Sequence, residues 1–296
     1  MSKLIDVVYH FDAGRWKATG VSIQSLLVNR GSFHYHIYCI VPQSLFDNAE
    51  FQAEMTALVA KADPKSKINF VAFDYSKATI PLSPDMAFGG GICYWKQDLW
   101  AMLPHLDRVI ALDDDTIILQ PLDELATMDL GDNYLMAFNY GQAFKTPFGT
   151  EKYGKIINLN AGVLVFNLKQ IRKDKIYKKF AEYFKDKNLS FEQGLMAVTF
   201  RGRMAMYDDK NTLYNYRTHA DWSTGGRPIA IIHYTGKKPW SYPTRKARIW
   251  WKYAKMTPFY ADFHRHFWHN YLLYLAVMLV PARKWRHALR VKYSKV

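Results

Sequence analysis

Val109-Ile110-Ala111-Leu112-Asp113-Asp114-Asp115-Thr116-Ile117-Ile118-Leu119 decides how this chain reads. Four apolar residues of buried-strand character run into three adjacent carboxylates, and apolar β-rich sequence resumes at once. Adjacent carboxylates repel, so between two buried strands they call for a compensating charge. In extended backbone, residues 113 and 115 point to the same side. Two oxygen ligands at that spacing suit a hard cation such as Mg2+ or Mn2+. A solvated surface turn is the competing reading, and the apolar runs on both sides weigh against it.

Upstream, apolar runs alternate with helical patterns. Strands are expected at Leu4–Tyr9, His34–Val41, Ile68–Phe73 and Arg108–Leu112, with helices at Lys17–Leu27, Leu45–Ala60 and Lys96–Leu103. Downstream, strands are expected at Tyr134–Phe138, Ala161–Leu168 and Ile229–His233, and a lysine-rich helix at Lys169–Lys185. Strands separated by helices of this length imply an α/β fold, with a mostly parallel sheet and helices on both faces. Ligands in such sheets bind beyond the carboxyl ends of the strands. That rule singles out His10–Gly14 after the first strand and Asp113–Asp115 after the fourth.

A second dense segment is Ile231-Ile232-His233-Tyr234-Thr235-Gly236-Lys237-Lys238-Pro239-Trp240. The strand delivers His233 at its end, and Gly236 permits a tight turn. Imidazole can complete a carboxylate metal site, and Lys238 on a glycine turn can neutralise a phosphate. A lone histidine at a strand end is more often structural; the combination carries more weight than any member. Phosphatases of the haloacid dehalogenase type also place D-x-D after a buried strand. Theirs resembles D-x-D-x-Thr/Val at the first strand, whereas here Ile117 holds the fifth position and three strands precede it.

Asp113–Asp115, then Asn160-Ala161-Gly162-Val163, then His233 through Trp240 together resemble glycosyltransferase family 8, in order and over roughly Leu4 to Trp240. The bacterial lipopolysaccharide galactosyl- and glucosyltransferases are closest in pattern. The resemblance implies a GT-A fold, Mn2+ with Mg2+ as the alternative ion, a UDP-sugar donor and a retaining hexosyl transfer to a glycan acceptor, lipopolysaccharide or another cell-surface oligosaccharide. It places the metal on Asp113, Asp115 and His233. The donor falls to Asp12, Asn160, Ala161, Gly162, Gly236 and Lys238, with the adjacent His10 and Asp114 assigned to the same pocket. Lys96 stands where the family usually has arginine, keeping the charge without the bidentate fork. The acid–glutamine pair falls on Glu192 and Gln193, with glutamate in place of aspartate. Gln193 is expected beneath the anomeric carbon, and Glu192 is the nearest candidate nucleophile. An aspartate common after the 134–138 strand is absent, and Asn139 and Tyr140 stand there. A non-catalytic nucleotide-sugar-binding relative is the alternative reading of the same motifs.

The net charge of +14 is unevenly placed. Residues 245–296 contain Arg245, Lys246, Arg248, Lys252, Lys255, Arg265, Arg283, Lys284, Arg286, Arg290, Lys292 and Lys295, with Asp262 as their lone acid. A catalytic domain over 1–244 and a basic, aromatic tail over 245–296 is therefore the expected division. Tyr271–Val280 is apolar but far short of the ~20 residues that a spanning helix needs. Trp285, Leu289 and Tyr293 share a helical face among cations, and Trp250, Trp251, Phe267 and Trp268 add aromatic surface. The tail reads as an interfacial anchor on anionic lipid, against a packed helix with a solvated basic end as the plainer option. Nucleic-acid binding would also suit basic residues interleaved with aromatics, but it leaves the three motifs unexplained, and no nucleic-acid partner is expected. Cys39 and Cys93 form no C-x-x-C pair and read as reduced buried thiols. Asp6 interrupts the apolar start that a secretory leader would need, so the expected location is the cytoplasm, at the inner face of the membrane.

Overall fold

The computed structural model describes residues 4–83, 91–138, 149–186, 189, 192–208, 210–221 and 223–278. Strands β1 (Leu4–His10), β2 (His34–Val41), β3 (Lys67–Ala72) and β4 (Arg108–Leu112) fall where the apolar runs place them. They are followed by β5 (Thr116–Ile118), β6 (Leu135–Ala137), β7 (Val163–Asn167), β8 (Met204–Met206), β9 (Tyr216–Arg217) and β10 (Ile231–His233). The helices are α1 (Trp16–Val28), α2 (Gln43–Phe46), α3 (Ala49–Ala62), α4 (Leu99–Met102), α5 (Asp123–Thr127), α6 (Leu168–Asp174) and α7 (Lys178–Phe184). Then come α8 (Glu192–Thr199), α9 (Ala247–Ala254) and α10 (Tyr260–Met278).

Among the described residues one sheet runs β3-β2-β1-β4-β7-β6-β8. It is parallel throughout except for β7, which lies antiparallel to both β4 and β6. Side chains alternate between two cores: Ile5, Val7, Tyr9, Ile37, Cys39, Ile110 and Leu112 on one face, Val8, Tyr38, Ile40, Val109 and Ala111 on the other. Both faces are thus apolar, as helix-covered parallel sheets require. The chain builds outward from β1 to β2 and β3, then returns to β4 on the other side of β1. The topological switch point lies between β1 and β4, where His10 and Asp113 leave the sheet at the same end.

A second, three-stranded sheet runs β5-β10-β9. Its antiparallel register sets His233 opposite Thr116, so a residue far along the chain arrives beside the acidic turn. Helix α1 is buried on nearly every side from Ala18 to Leu27. Its polar side chains bond inward: Ser22 Oγ lies 3.1 Å from Tyr9 Oη and 3.0 Å from Thr116 Oγ1. Gly20 has no room for a side chain, since a Cβ would come 2.5 Å from Phe259 Cε2.

Four expectations need correction. The helix expected over Leu45–Ala60 is two, because Asn48 accepts from Phe51 N at 3.0 Å and caps a new start. The helix over Lys169–Lys185 breaks at Lys175, which adopts the left-handed conformation at φ 52°. Lys96 sits in a 3-10 turn over Ile92–Asp98 that precedes α4. Trp250 does not face a membrane: it is fully buried against Trp240 and Phe263, with ring centroids 5.3 and 4.9 Å away. The anchor residues Trp285, Leu289 and Tyr293 lie outside the described residues, as do Asn139 and Tyr140.

Candidate active site

The acidic segment is a turn, not extended strand: Thr116 N and Thr116 Oγ1 both donate to the Asp113 carbonyl, at 3.2 and 2.8 Å. The period-2 argument for Asp113 and Asp115 therefore fails, yet the two carboxylates do converge, because the turn folds them around the end of β10. His233 Nε2 lies 3.1 Å from Asp115 Oδ1 and 3.5 Å from Asp113 Oδ2. The outer oxygen of each carboxylate is taken by a lysine. Lys96 Nζ donates to Asp113 Oδ1 at 2.6 Å and to the Ala161 carbonyl at 2.5 Å. Lys238 Nζ pairs with Asp115 Oδ2 and donates to the Tyr234 carbonyl at 3.0 Å. The lysines thus hold each carboxylate with its inner oxygen toward the imidazole.

Asp115 Oδ1 is buried and receives no hydrogen bond. An anionic oxygen in that position costs free energy unless a positive charge meets it. The ligand atoms of Asp113, Asp115 and His233 all lie within 4.8 Å of one another, and the two contacts to Nε2 approach the ~3 Å edge of an ion with ~2.1 Å bonds. The donor set therefore fits a divalent cation. Burial alone would raise the Asp115 carboxyl, but His233 and Lys238 outweigh it and hold it well below the usual carboxylate range. Asp113 shifts the same way, with burial opposed chiefly by Lys96. Burial, reinforced by Lys96, pulls the His10 imidazole down to about 3, so it is neutral at physiological pH.

Glycine at 162 follows from the packing. A Cβ there would lie 2.1 Å from His233 Cε1, so the ring position and the bare backbone specify each other. Gly162 O also accepts from Asp113 N at 2.9 Å, and Gly162 N donates to Asn160 Oδ1 at 3.1 Å. Asn160, Ala161 and Gly162 therefore brace the acidic turn and the imidazole together. Gly236 has φ +78°, the left-handed turn that returns Lys238 to Asp115.

Asp12 and Asp114 lie on the Arg15 side of the site. Arg15 grips both Asp114 oxygens, at 2.6 and 2.8 Å, and stacks over the Trp240 ring at 4.9 Å. Asp12 Oδ1 accepts from Gly14 N at 2.8 Å. Glu192 and Gln193 open α8. Gln97 Nε2 donates weakly to the Glu192 carbonyl at 3.4 Å, and burial raises the Glu192 carboxyl despite the opposing charge of Lys96.

Two residues escaped the sequence reading. Arg15 sits at the entrance to α1, and its partner is known only once β4 lies beside β1. Asn215 is a buried neutral amide just before β9, with His233 Nδ1 3.1 Å from its Oδ1. A single polar residue in Leu213-Tyr214-Asn215-Tyr216 is the signal that could have marked it.

The model for glycosyl transferase family 8 matches residues 6–244. The chain belongs to glycosyltransferase family 8. Among curated relatives it is 26% identical over 168 residues to glycosyltransferase GlyE of Streptococcus pneumoniae serotype 4, covering 51% of this chain and 38% of that protein. Glycosyltransferase GlyA of the same organism is 28% identical over 156 residues, covering 50% of this chain and 21% of that protein. The chain thus spans well under half the length of either. Among solved structures, the galactosyltransferase LgtC in complex with donor and acceptor sugar analogues superposes with a TM-score of 0.68 at 22% identity, over 86% of this chain and 96% of that one. The bifunctional glycosyltransferase WbbM reaches 0.72 at 17% identity, over 90% of this chain and 52% of that one. At these identities the likeness establishes the GT-A fold.

Proposed function

We propose that this family 8 chain is a retaining glycosyltransferase that moves a hexose from a UDP-sugar to a glycan acceptor, with Mn2+ or Mg2+ at Asp113, Asp115 and His233. The observation that carries the reading is Asp115 Oδ1, a buried anionic oxygen that faces His233 Nε2 at 3.1 Å without a donor. When bound, the cation supplies Lewis-acid stabilisation of the charge that develops on the leaving diphosphate. Lys238, on the Gly236 turn, adds a second positive charge to the same oxygens. Lys96 holds Asp113 ready for the cation, and buried, neutral His10 adds no positive charge beside it. Asp12 reaches toward the nucleoside. Asn160, Ala161 and Gly162 form the wall beside the donor sugar.

Retention follows from attack on the face that the diphosphate leaves. An amide is a poor nucleophile, so Gln193 stabilises an oxocarbenium-like centre instead of forming a covalent bond, and Glu192 is the residue to examine if such a bond forms. The acceptor is a lipopolysaccharide or another cell-surface oligosaccharide, met at the inner face of the membrane. Trp268, Leu272 and Leu275 support that placement: they are exposed at i, i+4 and i+7 on one side of α10. No helix among the described residues is long and apolar enough to cross a membrane.

The test is turnover of a panel of UDP-sugars with and without Mn2+. Mn2+-dependent release of UDP that is lost in Asp115→Ala is expected. Tight nucleotide-sugar binding with no turnover of any donor would instead establish the non-catalytic relative. Activity that survives Asp115→Ala overturns the metal assignment.

A further inference from the structure

Two backbone groups of fixed polarity bracket a chain of side-chain amides that ends on His233. Gly162 N can only donate, so the Asn160 atom it meets at 3.1 Å is Oδ1. That oxygen also faces the Asn215 amide at 2.9 Å, so the Asn215 atom there must be Nδ2. The Phe138 carbonyl can only accept, and it meets the same Nδ2 at 2.9 Å. Turning the Asn215 amide over would set its oxygen against two acceptors in a buried position, and each lost bond would leave an unsatisfied polar group. Asn215 Oδ1 is therefore the atom that faces His233 Nδ1 at 3.1 Å. An oxygen there requires a proton on Nδ1. In the neutral ring, the form that binds a metal, that proton is the only one, so Nε2 is left bare. The bare nitrogen is the one directed at Asp113 Oδ2 and Asp115 Oδ1.

We propose that Asn215, locked by Asn160 and the Phe138 carbonyl, is a positioning residue that sets the His233 tautomer so that Nε2 faces the cation as a lone pair. The proposal rests on the metal reading of the site and assigns Asn160 a task beyond lining the donor sugar. Without the lock, the neutral ring can carry its proton on Nε2, the nitrogen 3.1 Å from Asp115 Oδ1. A proton on Nε2 removes the lone pair that the cation needs. The fold would tolerate the change; the metal site would not.

The test has two arms. In metal-free protein, 15N–1H NMR of the imidazole, assigned by its loss in His233→Gln, reads which nitrogen carries the proton. Nδ1 is protonated in both the neutral and the charged ring under this proposal, so a bare Nδ1 in the unmodified protein overturns it. The second arm measures Mn2+ affinity by electron paramagnetic resonance, without nucleotide, in Asn215→Leu and Asn160→Ala. Loss of an outer partner to a metal-bound histidine typically weakens binding by about 10–100-fold. Asn215→Leu is expected in that range with the ring proton moved to Nε2, and Asn160→Ala, one bond further from the ring, is expected to lose less, about 3–10-fold, below the range for a direct partner. Unchanged Mn2+ affinity in folded Asn215→Leu, or in Asn160→Ala, overturns the relay. Failure of the unmodified protein to bind Mn2+ sinks the metal reading instead, while the NMR arm still decides the tautomer.

Discussion

At the scale of single residues the site is a set of mutual constraints, and Gly162 is the tightest. Because a Cβ would lie 2.1 Å from the His233 ring, Gly162→Ala must push the imidazole away from the carboxylates. The ring rests on backbone that also braces Asp113, so it cannot move without cost. Mn2+ affinity measured by titration is expected to fall at least about tenfold, corresponding to ~1.4 kcal/mol; an affinity equal to that of the parent protein would refute the packing argument. Glu192 gives a prediction of opposite character. Burial raises its folded-state pKa, so its contribution to stability is fully present below the unfolded value of ~4.3 and is lost as pH rises through the folded value. Glu192→Gln should therefore raise the melting temperature at pH 8 and leave it nearly unchanged near pH 4. A stabilisation that is equal at both pH values would show that charge is not the cause. Asp113, Asp115 and His233 were legible in the sequence because strand ends and a glycine turn announce them. Arg15 and Asn215 were not, since their partners come from the β4–β5 turn and β10 and no local pattern connects them.

At the scale of elements, strands were read more accurately than helices, and the reason is physical. Strands of the main sheet are apolar on both faces, so their runs stand out from the polar segments between them. Short β8 and β9 went unseen because two or three residues carry no period, and their pairing depends wholly on β6 and β10. Helices α9 and α10 are the instructive case, because one composition serves two environments. Trp250 and Phe263 complete the core against α1, while Trp268, Leu272 and Leu275 remain exposed. The two tryptophans should therefore separate the two roles. Trp250→Ala is expected to cost about 3–5 kcal/mol in denaturant unfolding, as for other large core truncations. Trp268→Ala should change stability by less than about 0.5 kcal/mol, as at ordinary surface positions. It should nonetheless weaken sedimentation with anionic vesicles. Vesicle binding that is indifferent to Trp268→Ala would remove α10 from the membrane proposal.

At the scale of the whole molecule, the site exists only when the fold is complete. Its ligands come from the β4–β5 turn and the end of β10, and their supports come from the entrance to β7, the 3-10 turn before α4 and the residue before β9. The unfolded chain cannot assemble that set, so a cation held there as proposed would bind the native state alone and stabilise it by linkage. The metal-free protein is not left with bare carboxylates, however, because Lys96 and Lys238 neutralise Asp113 and Asp115, and the two cores do not depend on the site. Chelation should therefore lower the melting temperature without unfolding the chain. Mn2+ at about 100 times its dissociation constant contributes ~2.7 kcal/mol, and at roughly 2–4 °C per kcal/mol for a chain of this size the shift is about 5–10 °C. Asp115→Ala should abolish the Mn2+-dependent shift, while the Asp115→Ala protein itself stays folded. A melting temperature independent of Mn2+ in the parent chain would show that the three converging groups hold no cation. Unfolding by chelator alone would show instead that the two lysines do not compensate the turn, and that the cation is part of the fold.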